Sequence, residues 1–193
     1  MGSLRLEPAH FRPDLLATPV GKALAAWPPD APVTVDQVLV AAIDPDLADT
    51  AAYCEAYGVG LDVSVNCVIV AGRRGVVTRY AACIVLATTR VNSAIRRHLD
   101  VRSCSFAPMD DAVRLTGMEY GGITPIGLPA DWPILVDSRV ATTPRVIIGS
   151  GVRHSKIAVA GAALGALPGA TVIEGLAKDA RPKAPDAWSD EAA

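Results

Sequence analysis

The order of elements predicts an α+β fold: short helices interleave with strands that are mostly linked as hairpins, with no βαβ series and no internal repeat. Two observations carry this prediction. The 193 residues are 51% hydrophobic with mean hydropathy +0.32, enough to bury the core of one compact domain. The clearest local pattern is a hairpin, in which apolar runs 64–71 and 76–87 flank Gly72-Arg73-Arg74-Gly75. No apolar run reaches the ~18 residues of a membrane span. Residues 1–13 lack the apolar stretch of a secretory signal, so the expected location is cytoplasmic.

Each element follows from its own signals. Thr18-Pro19 opens a short helix with Leu16, Val20, Leu24 and Trp27 on one face, and Pro28-Pro29 ends it. Residues 37–43 read as a strand. Asp44-Pro45-Asp46 starts a second helix that runs to Tyr57 and stops at Gly58. The second hairpin strand alternates partly (Val77, Arg79, Ala81), as a sheet with one wetter face does. A helix over 92–98, a strand over 103–107 and a helix over 109–115 stopped by Gly117 follow. Strands are expected at 134–136, 145–148, 156–159 and 171–173, with a helix over 162–167. The chain is expected to divide into an N-terminal extension over 1–33 with one short helix, a main domain over 34–175, and a tail over 176–193 whose composition reads as disordered.

Charge and cysteine content exclude several classes. With 18 Lys+Arg against 20 Asp+Glu, the formal charge of −2 argues against a long nucleic-acid footprint. The charges are nevertheless unevenly placed. Residues 28–62 carry only acids, whereas 73–102 hold Arg73, Arg74, Arg79, Arg90, Arg96, Arg97 and Arg102 against Asp100. That block meets a phosphate backbone, pairs with the acidic segment, or is simply solvated. Cys54, Cys67, Cys83 and Cys104 form no CxxC pair and read as buried thiols. His10, His98 and His154 stand alone, without the spacing of a metal site, so no metal or cofactor is expected. No GxSxG elbow, dinucleotide fingerprint or P-loop is present. At 5%, aromatics supply little surface for base stacking.

Two glycine-bearing loops remain. Residues 117–133 form a long turn-rich stretch containing Gly121-Gly122-Ile123-Thr124-Pro125, and a second loop runs Gly149-Ser150-Gly151-Val152-Arg153-His154-Ser155-Lys156. Glycines admit close backbone approach and prolines hold a loop's shape. Such loops either bind a small group through main-chain donors or are tight turns at the rim of a barrel.

These loops, in this order, resemble the YbaK/EbsC family of aminoacyl-tRNA editing domains, which includes the domain associated with prolyl-tRNA synthetase. The matching runs are Ser105–Pro129, Ile134–Val140 and Ile148–Val159, and upstream Ala51–Val59 and Val65–Val70 resemble the family's helix and first core strand. The resemblance implies a mostly antiparallel, barrel-like central sheet surrounded by short helices. It implies metal-independent hydrolysis of the ester joining a wrong amino acid to a tRNA 3′ end. The substrate-binding residues it implies are Gly121, Gly122, Ile123, Thr124, Pro125, Gly149, Ser150, Gly151, Arg153 and Ser155. Arg73, Arg74, Arg96 and Arg97 would meet the tRNA backbone.

One departure stands out. The family's functional lysine falls in a pattern like V-x-K-[ST]-L-V, and the corresponding run here is Ser64-Val65-Asn66-Cys67-Val68-Ile69, which puts Asn66 at the lysine position. An amide donates a hydrogen bond but brings no charge. Lys156 could supply the missing cation, which makes Asn66 and Lys156 the expected catalytic pair of a trans-acting deacylase. The alternative is a non-catalytic relative that binds aminoacyl-tRNA or an aminoacyl-like ligand.

Overall fold

The computed structural model describes residues 2–91 and 95–179. In chain order its elements are β1 (Glu7–Pro8), α1 (Thr18–Ala25), β2 (Leu39–Ala42), α2 (Thr50–Tyr57), β3 (Val65–Arg74), β4 (Val77–Leu86), β5 (Thr89–Val91), α3 (Ile95–His98), β6 (Ser103–Phe106), α4 (Met109–Thr116), β7 (Ile134–Asp137), α5 (Ser138–Thr142), β8 (Val146–Gly149), β9 (Ser155–Val159), α6 (Gly161–Gly165), β10 (Ala170–Ile173) and β11 (Ala177–Asp179). One sheet has the order β1-β2-β9-β8 and is antiparallel throughout. A second has the order β10-β7-β4-β3-β6, with β7 parallel to both of its neighbours, and β11 pairs with β5 in a small third sheet. The two larger sheets touch at a single bridge, Ser64 with Ile147, where the Ile147 N–H donates to Val63 O at 2.8 Å. The α+β expectation therefore holds, whereas the described strands do not close into a barrel.

The central hairpin shows why. Its register runs from Val65↔Leu86 to Arg74↔Val77, so the connection is only Gly75-Val76, with Gly75 at φ +63°. The four-residue turn read from Gly72 to Gly75 is thus too long. Gly72 lies inside β3 because β6 pairs with β3's other edge there, and a Cβ on Gly72 would come within 2.9 Å of Val101. The expected wet face is also confined to the hairpin tip, since Ala81 to Val85 are at most 2% exposed. Ile69, Ala82 and Ile84 face the main core between the sheets, while Val70, Cys83 and Val85 face a second cluster with Ile95, Leu99 and Leu176.

Helix ends obey their capping residues. Asp49 accepts from the Ala51 N–H at 3.0 Å and starts α2 there, and Gly58 in the left-handed region ends it. Asp44-Pro45-Asp46, expected to open that helix, instead forms a separate 3-10 turn capped by Asp44. Gly117 ends α4 in the same left-handed conformation. Trp27 lies beyond α1 and donates its indole N–H to Val33 O at 2.9 Å. Helix α5 was not anticipated: it is one short turn, capped by Asp137 accepting from the Arg139 N–H. The N-terminal segment is integral to the fold, because Leu15, Leu16, Val20 and Leu24 belong to the main core.

The tail expected from residue 176 starts too early. Ala177–Asp179 form β11 against β5, held by Arg139 to Ala177 O (2.7 Å) and by the Ala177 N–H to Asp137 (2.9 Å). Residues 180–193, and the start of the helix expected over 92–98, lie outside the described residues.

Candidate functional site

Strand β6 pairs with β3 only from Val70 to Arg73, and the Ala107 N–H closes on Ile69 O at 2.9 Å. Residues 65–69 of β3 therefore leave one edge without a strand partner. A cleft of about 490 Å³ opens beside that edge, between the start of α2, the ends of β8 and β9, and the glycine loop. Asn66, Gly121, Ile123, Gly149, Arg153 and Lys156 all line it. Sequence reasoning named all six.

Lys156 is the buried cation of this cleft, only 8% exposed. Alternation along β9 sends Ile157 and Val159 into the main core, and places Ala158 in the cluster under α2. The Lys156 ammonium donates to Ala48 O at 3.1 Å and lies 5.3 Å from the Tyr53 ring centroid. Burial pushes its pKa below the usual lysine value, nearby Arg153 adds to this, and Cys54 and Asp49 oppose it. An ammonium has three donors, so two beyond the Ala48 bond are left for a ligand.

Across the cleft, Asn66 is half-buried on β3, and its Oδ1 accepts from the Thr50 hydroxyl at 3.2 Å. With the amide oxygen so occupied, the NH₂ end is a neutral donor. Asp49, Thr50 and Tyr53 of α2 also line the cleft, as do Phe106, Met109 and Tyr120. These residues escaped sequence reading. Asp49-Thr50 carries the residue types of a helix start, a signal passed over in favour of Asp44-Pro45-Asp46, and nothing local reveals that this helix end faces β3.

The two loops lock into one another. The Gly151 N–H donates to Gly122 O at 2.8 Å, and a Cβ on Gly149 would sit 2.2 Å from that same oxygen. Arg153 ties both loops to the 3-10 turn, reaching Pro45 O at 3.0 Å and Tyr120 O at 3.4 Å, while its N–H donates to Glu119 at 2.6 Å. Gly122, Thr124, Pro125, Ser150, Gly151 and Ser155 are buried and lie behind the lining rather than in it. Ser150 and Ser155 share a hydroxyl–hydroxyl bond of 2.6 Å, and Ser155 donates to Leu15 O. These two serines anchor the second loop to the N-terminal segment. His154 donates from Nε2 to Asp14 O at 3.2 Å, which fits a loop histidine. Among the described residues, no three His, Cys, Asp or Glu side chains gather as metal ligands.

The expected tRNA-binding arginines sit elsewhere. Arg73 and Arg74 occupy the hairpin tip, seven and eight residues along β3 from Asn66, or roughly 23–27 Å. Arg74 pairs with Asp100, whereas Arg73, Arg96 and Arg97 are exposed on the surface. Among the described ion pairs, none joins this block to the acidic segment 28–62.

A family model described as the aminoacyl-tRNA editing domain matches residues 44–167. The chain belongs to this family. The matched region includes α2, both glycine loops and every cleft-lining residue named above. No curated protein matches the chain. Among solved structures, a candidate trans-editing enzyme for prolyl tRNA synthetase shares 20% identity at a TM-score of 0.67, covering 82% of this chain and 94% of that one. A protein used as a scaffold for epitope backbone grafting gives the same identity and TM-score, covering 82% and 95%. The hypothetical protein APE2540 shares 20% identity at a TM-score of 0.65, covering 73% and 91%. These likenesses show that the editing domain shares its fold with those structures. No described helix is long and apolar enough to cross a membrane.

Proposed function

We propose that this editing domain is a trans-acting aminoacyl-tRNA deacylase in which Lys156 supplies the charge absent at Asn66. The observation that carries the reading is that Lys156, nearly buried, lines the same cleft as Asn66. In the reaction, water or the vicinal ribose hydroxyl adds to the ester carbonyl carbon, and negative charge gathers on the carbonyl oxygen. The two free Lys156 donors and the Asn66 NH₂ stabilise that oxygen. The bond from the acyl carbon to the ribose oxygen then breaks, and a proton goes to the leaving oxygen. With a water nucleophile the products are a free amino acid and a tRNA with its hydroxyl restored. A vicinal hydroxyl first yields the ester on the neighbouring ribose oxygen, which water then cleaves.

An activated ester needs little chemical help, so positioning by the interlocked loops and electrostatic stabilisation supply most of the rate. No metal takes part in this reading. Exposed Arg73, Arg96 and Arg97 are assigned to the tRNA phosphates, as sequence reasoning expected. Arg74 plays a smaller part because Asp100 neutralises it.

The neutral residue at Asn66 also favours a second reading, a relative that binds aminoacyl-tRNA without hydrolysing it. A panel of tRNAs charged with Ala, Ser, Cys, Thr and Pro separates the two. Turnover of one mischarged species by wild type, lost in Lys156→Met, is the expected result. Binding without turnover of any of them marks the second reading.

A further inference from the structure

The cleft is lined at its mouth by side chains that a soluble fold ordinarily hides. Phe106 is 74% exposed, Tyr120 60% and Met109 53%, and all three line the same cleft as Lys156. They arrive from different segments: Phe106 from the end of β6, Met109 from the start of α4, and Tyr120 from the residue before Gly121. The Tyr120 segment is held in place by its carbonyl, which accepts from Arg153. Aromatics are only 5% of this chain, so two exposed rings at one cleft need a reason.

The direction of β6 supplies one. It pairs Phe106 with Val70 and Ser103 with Arg73, so it runs from the cleft mouth to the arginine end of the hairpin in three residues, about 10 Å. At that end the Arg102 N–H donates to Arg73 O (3.0 Å) and the Val101 N–H to Arg96 O (3.1 Å), which gathers the exposed arginines Arg73, Arg96 and Arg102. Flat apolar faces at the mouth thus continue into a cationic surface. That sequence of surfaces matches unpaired nucleotides, with bases to stack and a phosphate backbone to follow.

We propose that Phe106 and Tyr120 stack the unpaired bases at the 3′ end of the RNA, and that the strand leaves the cleft along β6 toward Arg73 and Arg96. The proposal rests on the deacylase reading for its ligand, and binding rather than turnover tests it. Fluorescence anisotropy would compare an acceptor-stem hairpin carrying a single-stranded CCA end with the same hairpin cut blunt. Wild type prefers the extended RNA. Phe106→Ala and Tyr120→Ala each weaken that binding about tenfold or more without changing the blunt RNA, and Phe106→Trp keeps the preference while Phe106→Leu loses it. Equal binding of both RNAs by wild type overturns the proposal. So does full retention in Phe106→Leu, since an aliphatic side chain without a ring face would then serve as well. A wild type that prefers the extended RNA but deacylates no charged tRNA supports the stacking surface while sinking the deacylase.

Discussion

Strands β3 and β9 meet at one cleft and bring unlike residues to it. On β3, Asn66 is neutral, half-buried and fixed by the Thr50 hydroxyl. On β9, Lys156 is nearly buried and, among the described residues, has a single hydrogen-bond acceptor, Ala48 O. Burying an ammonium with one hydrogen bond costs stability unless something else gains from it. The difference teaches that the unfavourable burden of the cleft sits on the β9 wall. A function-bearing charge is the economical explanation, because a structural role is served better by an apolar side chain.

The sharpest way to break this contrast is Lys156→Met, which keeps much of the stem and deletes the charge. Deacylation should fall about 100-fold or more, in line with loss of a principal oxyanion donor. Urea unfolding should show stability unchanged or increased, since an uncompensated buried charge is gone. The pH dependence follows from the same lowered pKa. Between the folded value and the ordinary 10.5, the unfolded chain holds a proton on Lys156 that the folded chain has lost. Wild-type stability therefore rises with pH through that window, and Lys156→Met should flatten the rise. Activity that depends on the ammonium should decline as pH climbs through the folded pKa, below where a free lysine titrates.

The loops behind the two walls give smaller, structural effects. Gly149→Ala drives a Cβ to 2.2 Å from Gly122 O and should cost about 1–3 kcal/mol or more in thermal or urea unfolding. Ser155→Ala leaves Leu15 O and one Ser150 partner unmet and should cost about 1–3 kcal/mol, without the 100-fold loss of kcat expected for Lys156→Met. At the hairpin tip, Arg73→Glu should weaken tRNA binding several-fold and lower the salt slope by about one. Arg74→Glu should do less, because Asp100 already neutralises Arg74.

Local chemistry was legible wherever one segment decides its own shape. The β3–β4 hairpin, the stops at Gly58 and Gly117 and the two glycine loops follow from short-range rules. Asn66 stood out as a cation lost against the family pattern, and Lys156 as the cation of the second loop that could replace it. The rest depended on partners distant in sequence. The hairpin turn shortened because β6 extends the pairing to Arg73. The tail gained a strand because Asp137 and Arg139, some 40 residues earlier, bind Ala177. Thr50, Phe106 and Tyr120 joined the cleft only through tertiary packing, and Ser150 and Ser155 turned inward to hold the N-terminal segment. Barrel closure failed because β8 reaches β3 through a single bridge at Ser64.

The central claim, that the charge has moved from the β3 wall to the β9 wall, is tested most directly by exchanging the residues. Deacylation of the mischarged tRNA would be measured for wild type, Lys156→Met, and the double variant Asn66→Lys with Lys156→Met. The account predicts an active wild type, an inactive single variant, and substantial recovery in the double variant. An inert wild type that becomes active with Asn66→Lys alone would contradict it, since Lys156 would then never have carried the charge the reaction uses.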